Sequence, residues 1–175
     1  LGQEEEDDVL TPMGTTPRLR LPYAMQLGSG TYDLLPGLTY YGNQDNWGWG
    51  AQYKATIRTG ENSQDYTLGD KHQITAWGSY LWTPSFSTSL RATAETEGHI
   101  DGMDSDITAP VQTANPDNYG GERLSLSAGA NYLFQAGPLQ GHRLAFEVTA
   151  PVYQDLNGPQ MERDYAVTVG WQKAF

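Results

Sequence analysis

From residue 32 onward, polar and apolar residues alternate with a period of two, the signature of strands with two unlike faces. Tyr32, Leu34, Pro36, Leu38 and Tyr40 share one face, against Asp33, Leu35, Gly37, Thr39 and Tyr41 on the other. Trp47, Trp49, Ala51, Tyr53, Ala55 and Ile57 then alternate with Gly48, Gly50, Gln52, Lys54, Thr56 and Arg58. Ile74 to Trp82 repeats the pattern less cleanly, with Trp77 and Leu81 on the polar side. Phe86, Thr88, Leu90, Ala92, Ala94 and Ile100 oppose Ser87, Ser89, Arg91, Thr93, Glu95, Glu97 and His99. Leu124 to Phe134 and Leu144 to Val152 continue it, opposed by Arg123, Arg143, Glu147 and Tyr153 among others. In the last segment Tyr165, Val167, Val169, Trp171 and Phe175 fall opposite Ala166, Thr168, Gly170, Gln172 and Ala174. The pattern predicts an all-β chain with seven strands, at 32–42, 47–58, 71–82, 86–100, 122–134, 142–154 and 163–175.

Three features turn this reading toward a membrane. The strands are long enough to cross hydrocarbon at a barrel tilt, which takes about 9–11 residues. Short connections near Asn43, Pro84 and Pro138 alternate with longer ones at 59–70, 101–121 and 157–160, as in outer-membrane barrels with tight periplasmic turns and large outer loops. Aromatics (Tyr40, Trp47, Trp49, Tyr80, Trp82, Tyr132, Phe134) gather at strand ends, where an interfacial belt sits. The expectation is an antiparallel transmembrane β-barrel in the bacterial outer membrane, partnered by the lipid bilayer. Trp171 and Phe175 form the expected assembly signal, read by the barrel-assembly machinery.

Composition sharpens the exclusions. A net charge of −11 leaves little to neutralise a polyanionic duplex, so no nucleic-acid partner is expected. The chain lacks cysteine, and no apolar run reaches the ~18 residues of a membrane helix. Eleven Tyr, five Trp and twenty Gly suit aromatic girdles and a polar interior. Residues 1–31 read differently: the acidic run Glu4–Asp8 is a solvated segment, and Pro12, Gly14, Pro17 and Pro22 block regular structure. They are expected as an extracellular loop segment ahead of the barrel strands at 32–175. Residue 1 is a leucine with no leader pattern behind it, so processing or a longer parent chain is expected. Seven crossings are odd where single-chain barrels are even. The missing edges are expected to pair with N-terminal strands from a further segment or with another copy.

The polar face nominates Lys54, Arg58, Arg91, Glu95, Glu97, Arg123 and Glu147 as pore-lining residues, with Arg143 and Asp164 on the same side. Two accounts stand: cross-strand ion pairs that hold the wall's shape, and a lining that sets solute preference. Tyr41, Trp77 and Tyr153 are expected inward beside these charges. Asp101, Asp104, Asp106 and Asp117 mark an acidic outer loop, read as solvated because 101–106 misses the EF-hand pattern and its distal glutamate. His72, His99 and His142 lack ligand spacing, so no metal site is expected. No phosphate loop, nucleophile elbow or paired base stands out, so neither a cofactor nor an enzyme is expected.

Several stretches resemble a known family. Leu21–Tyr40 is similar to a signature of an outer-membrane transporter family grouped with proteins of the meta-pathway of phenol degradation. Gly60-Glu61-Asn62, Tyr66–Asp70, Gly98–Gly102, Asn115-Pro116-Asp117 and Gly120-Gly121 match it as well. So do Gly137–Leu144, Pro151–Gln154, Gly158-Pro159-Gln160 and Gly170-Trp171-Gln172, with Lys173 standing where an aromatic is expected. The resemblance implies that this chain is the C-terminal portion of a twelve-stranded barrel. It also implies passive or facilitated passage of small solutes, hydrophobic or aromatic compounds among them. The alternative is a non-transporting structural barrel whose acidic outer loops bind a partner or divalent cations.

Overall fold

Alternation of this kind satisfies its backbone by pairing each strand with the next, and the computed structural model shows that arrangement. It describes residues 6–10, 14–107 and 111–173. In chain order the strands are β1 (Glu6–Asp8), β2 (Arg18–Arg20), β3 (Tyr32–Leu34), β4 (Gly37–Gln44), β5 (Trp47–Thr59) and β6 (Tyr66–Thr67). They continue as β7 (Lys71–Thr83), β8 (Phe86–Glu97), β9 (Asp101–Gly102), β10 (Gly121–Leu133), β11 (His142–Leu156) and β12 (Ala166–Lys173). No α-helix occurs among the described residues.

One antiparallel sheet carries the long strands in the order β12-β11-β10-β8-β7-β5, with β3 and β4 both on the far side of β5. β3 and β4 are one strand interrupted at Leu35-Pro36. The register passes from Leu34↔Ile57 to Gly37↔Lys54 without a slip, and the Pro36 carbonyl still accepts from Ala55 N–H at 2.9 Å. Proline has no N–H to give the ladder, which a strand tolerates at a sheet edge. The sheet is open, with β4 and β12 at its edges.

Tight turns join the strands at one end. Asp45, between β4 and β5, takes a left-handed φ of 53°, a conformation Asp tolerates better than most residues. Between β7 and β8, the Thr83 hydroxyl accepts from the N–H groups of Ser85 and Phe86 at 3.3 and 3.1 Å. On the outer face here, Trp47 packs 4.8 Å from Tyr80, Tyr80 4.6 Å from Trp82, and Tyr132 5.0 Å from Phe134.

At the opposite end the loops and the N-terminal segment fold into a cap. β1 pairs with β2, and β6 pairs with β9. The cap holds a small apolar core of Tyr23, Tyr66, Ile100 and Ile107, with Leu68, Ala114 and Tyr119 packed against it. Tyr66 and Tyr119 meet Tyr23 edge-on at 4.9 and 5.7 Å, a geometry worth about 0.5–1.5 kcal/mol per pair beyond burial. Arg20 lies beside Asp104 at 3.5 Å with side chains only 5% and 2% exposed, and reaches Asp106 at 3.4 Å. The loops can converge because glycines cross without side chains. Gly120 sits at φ 83°, and a Cβ there would lie 2.3 Å from the Gly98 carbonyl.

This cap corrects several expectations. Residues 6–8 and 18–20 form a ribbon despite Pro17. The predicted strand 86–100 stops at Glu97, because Gly98 turns into the cap with its N–H on the Asp70 carbonyl at 2.9 Å. Ile100 therefore belongs to the cap core and not to the outer stripe. The loop from residue 101 is not simply solvated: Asp104 is buried, its N–H donating to Tyr23 Oη at 3.0 Å. The predicted strand 163–175 begins only at Ala166 in the structure, leaving Asp164 ahead of it. Phe175 lies outside the described residues, as do Glu4 and Glu5.

Candidate functional site

Residues directly opposite across antiparallel strands share a face, so the registers assemble the polar side row by row. One row runs Lys54, Gln73, Glu95, Arg123 and Gln154 across five strands. Next to it, toward the tight turns, come Gln52, Thr75, Thr93 and Ser125, then Gly50, Trp77, Arg91, Ser127 and Thr149. The face curves into a basin of about 570 Å³ that these rows line. The opposite face carries Leu38, Leu90 and Val169, exposed by 74%, 69% and 66%.

Within the basin the charges are mostly paired. Glu95 takes Lys71 at 3.2 Å and Arg123 at 3.5 Å, and its other oxygen accepts from the Gln73 amide at 3.2 Å. Arg91 donates to Glu147 across two strands. Ser127 and Thr149 hydroxyls bond at 2.8 Å, and Thr75 and Thr93 at 3.3 Å. Those between adjacent strands each contribute about 0.2–1 kcal/mol. Trp77 packs against Gly50; a Cβ there would fall 2.3 Å from its ring. The glycine opposite makes room for an indole on a polar wall.

The seven nominated lining residues therefore divide. Lys54, Arg91, Glu95, Arg123 and Glu147 come together in the basin. Arg58 and Glu97 instead border a second cavity of about 740 Å³ beneath the cap, lined also by Tyr23, Gln26, Ser29 and Tyr119. Arg58 donates there to Asp33, which the hydroxyls of Ser29 and Thr31 hold at 2.9 and 2.8 Å. Glu97 pairs with Lys71 at 3.4 Å. Arg143 binds Asn131 near the tight turns, at 3.1 Å from Nε.

Tyr153 leaves the polar face. A bulge between Leu124 and Ser125 makes its register partner Leu124, on the apolar side. The extra residue reverses the alternation beyond it. Arg163 goes the other way. An extended strand would have placed it outward with Tyr165, but β12 starts later. Two bonds to Gln154, at 3.0 and 3.1 Å, pin its backbone where its side chain lines the basin. Only the Pro159 and Gly158 ahead of it hinted at irregular backbone.

The acidic outer-loop residues do not converge. Asp104 and Asp106 share Arg20, Asp101 pairs with His99 at 3.1 Å, and Asp117 N–H caps onto Asn115 at 3.1 Å. No group of three or more His, Asp or Glu able to hold a metal occurs among the described residues. His72 and His142 sit on the outer face with Tyr53 and Trp171, each bonded at 2.8 Å. Burial in the cap pushes the Tyr23 and Tyr119 phenols above their ordinary value, the nearby Asp104 charge adding to the effect at Tyr23.

Comparison with protein-family models, with curated proteins and with solved structures finds no match for this chain.

Proposed function

We propose that this chain is the C-terminal wall of an outer-membrane β-barrel, closed by further strands from an N-terminal segment or another copy, through which small solutes pass. The reading rests on one observation above all, the inverted polarity of the sheet. Its apolar side chains stand on the exposed face while its charges meet one another on the concave face. Water penalises a contiguous apolar face of this size, and hydrocarbon does not. No helix among the described residues is long and apolar enough to cross a membrane, so spanning falls to the strands. The open edges β4 and β12 carry unpaired backbone groups, each costing several kcal/mol in lipid, which argues for partner strands. The aromatics collected near the tight turns suit an interfacial belt on the periplasmic side, with the cap outside. The sequence resemblance to the outer-membrane transporter family points the same way and adds aromatic compounds as cargo.

Reconstituting the native protein into planar bilayers tests the reading. Stepwise conductance is expected, together with extraction only by detergent. A β-rich protein that stays in solution without detergent refutes the membrane placement. A membrane-inserted barrel that never conducts and does not speed liposome swelling supports the structural alternative.

A further inference from the structure

Four cations, Lys54, Arg91, Arg123 and Arg163, line the basin against two carboxylates, Glu95 and Glu147. Glu147 is taken by Arg91, and Glu95 is shared between Arg123 and Lys71. Neither Lys54 nor the Arg163 side chain meets an acidic partner among the described residues. A chain of net charge −11 thus carries a basin with an excess of positive charge. Cross-strand bracing explains Arg91, Arg123 and Lys71. It does not explain two cations left over on a wetted wall, because bracing works by pairing.

Their positions add a second element. Lys54 starts the charged row on β5, and Arg163 is tethered at its far end through Gln154 on β11. Trp77 faces the same basin two rows away, with Arg91 as its direct cross-strand neighbour. Unpaired cations lining the same basin as a half-buried indole suit a ligand with a carboxylate at one end and a ring at the other. At Lys54 the acidic cap does not cancel this field. Lys54 lies five residues from the loop end of β5 at Thr59, about 16 Å along a strand. Physiological salt screens charge over ~8 Å.

We infer that the basin is a binding site for small aromatic carboxylates, with Lys54 and Arg163 supplying the countercharge from its two sides and Trp77 an edge for the ring. The inference rests on the proposed passage function for its biological use, but its geometry is that of the concave face alone. The test titrates sodium benzoate into the native protein in neutral detergent, with benzamide as the uncharged counterpart and calorimetry as the readout. Saturable benzoate binding is expected, weakening with added salt, with benzamide about tenfold weaker or more. Lys54→Gln combined with Arg163→Gln should lower benzoate affinity at least about tenfold, while Lys54→Arg keeps it. Both residues are exposed and pair with no acid, so unchanged circular dichroism is expected and confirms the fold. Trp77→Leu should weaken benzoate more than acetate. Equal binding of benzoate and benzamide, or an unaltered affinity in the double variant, overturns the inference. In bilayers the two readings separate: a conducting barrel with no anion preference overturns the inference and leaves the pore. Benzoate binding by a barrel that never conducts supports the inference and removes the passage.

Discussion

The cap and the sheet solve opposite solvent problems with the same chain. In the cap, Tyr23, Tyr66, Ile100 and Ile107 bury one another while charges such as Asp106 face outward. In the sheet, Leu38, Leu90 and Val169 stand outside and Glu95 and Arg123 lie inside with side chains 12% and 15% exposed. The polarity of the cap suits water, and that of the sheet suits the non-aqueous surround proposed above. The consequence is that one kind of substitution has opposite effects in the two regions.

The largest effect is expected in the cap. Asp104→Ala removes the buried carboxylate beside Arg20 and leaves the guanidinium to Asp106 and Gln64, a loss of at most about 3–5 kcal/mol, that of a fully broken buried pair. Hydrogen exchange across β6 and β9 should rise sharply while strand content by circular dichroism holds. Collapse of the whole sheet in this variant would show that cap and sheet are one cooperative unit.

Leu90→Arg tests the sheet. On the proposed membrane reading, arginine at this exposed apolar position costs about 2–4 kcal/mol near the bilayer midplane. Unfolding from lipid vesicles should report that loss, whereas the same change at an exposed aqueous position is nearly neutral. A variant as stable in vesicles as the parent would place the Leu90 face in water.

A smaller effect follows from Tyr23. Burial raises its phenol above the ordinary 10.0, so the folded cap favours the neutral form. That contribution is complete below pH 10 and disappears as pH rises through the folded-state value. Cleavage in the 101–121 loop by an alkaline protease should therefore accelerate above about pH 10, and Tyr23→Phe should blunt the rise, Tyr119 supplying the remainder. A pH-independent cleavage rate in the parent would remove Tyr23 from the cap core.

Much of the sheet was legible because period-two alternation is a local property. Lys54, Arg91, Glu95, Arg123 and Glu147 were all placed on one face from spacing alone, and the registers keep them there. The misreadings fall where locality fails. Tyr153 was reversed by one inserted residue, and Ile100 was drawn off its strand by a glycine crossing; Arg163, which the pattern did not nominate, reaches the basin because β12 starts late. Asp104 looked like another loop acid, since nothing near it in sequence announces an arginine more than eighty residues earlier.

By itself, the sequence determined the strand period, the polarity of the two faces and the asymmetry of short and long connections. These follow from which side chains neighbour one another along an extended backbone. Tertiary structure decided which loops pack into the cap, which cations find carboxylates and which remain free. Those outcomes depend on contacts between segments far apart in the chain, where a single bulge or glycine crossing redirects everything beyond it.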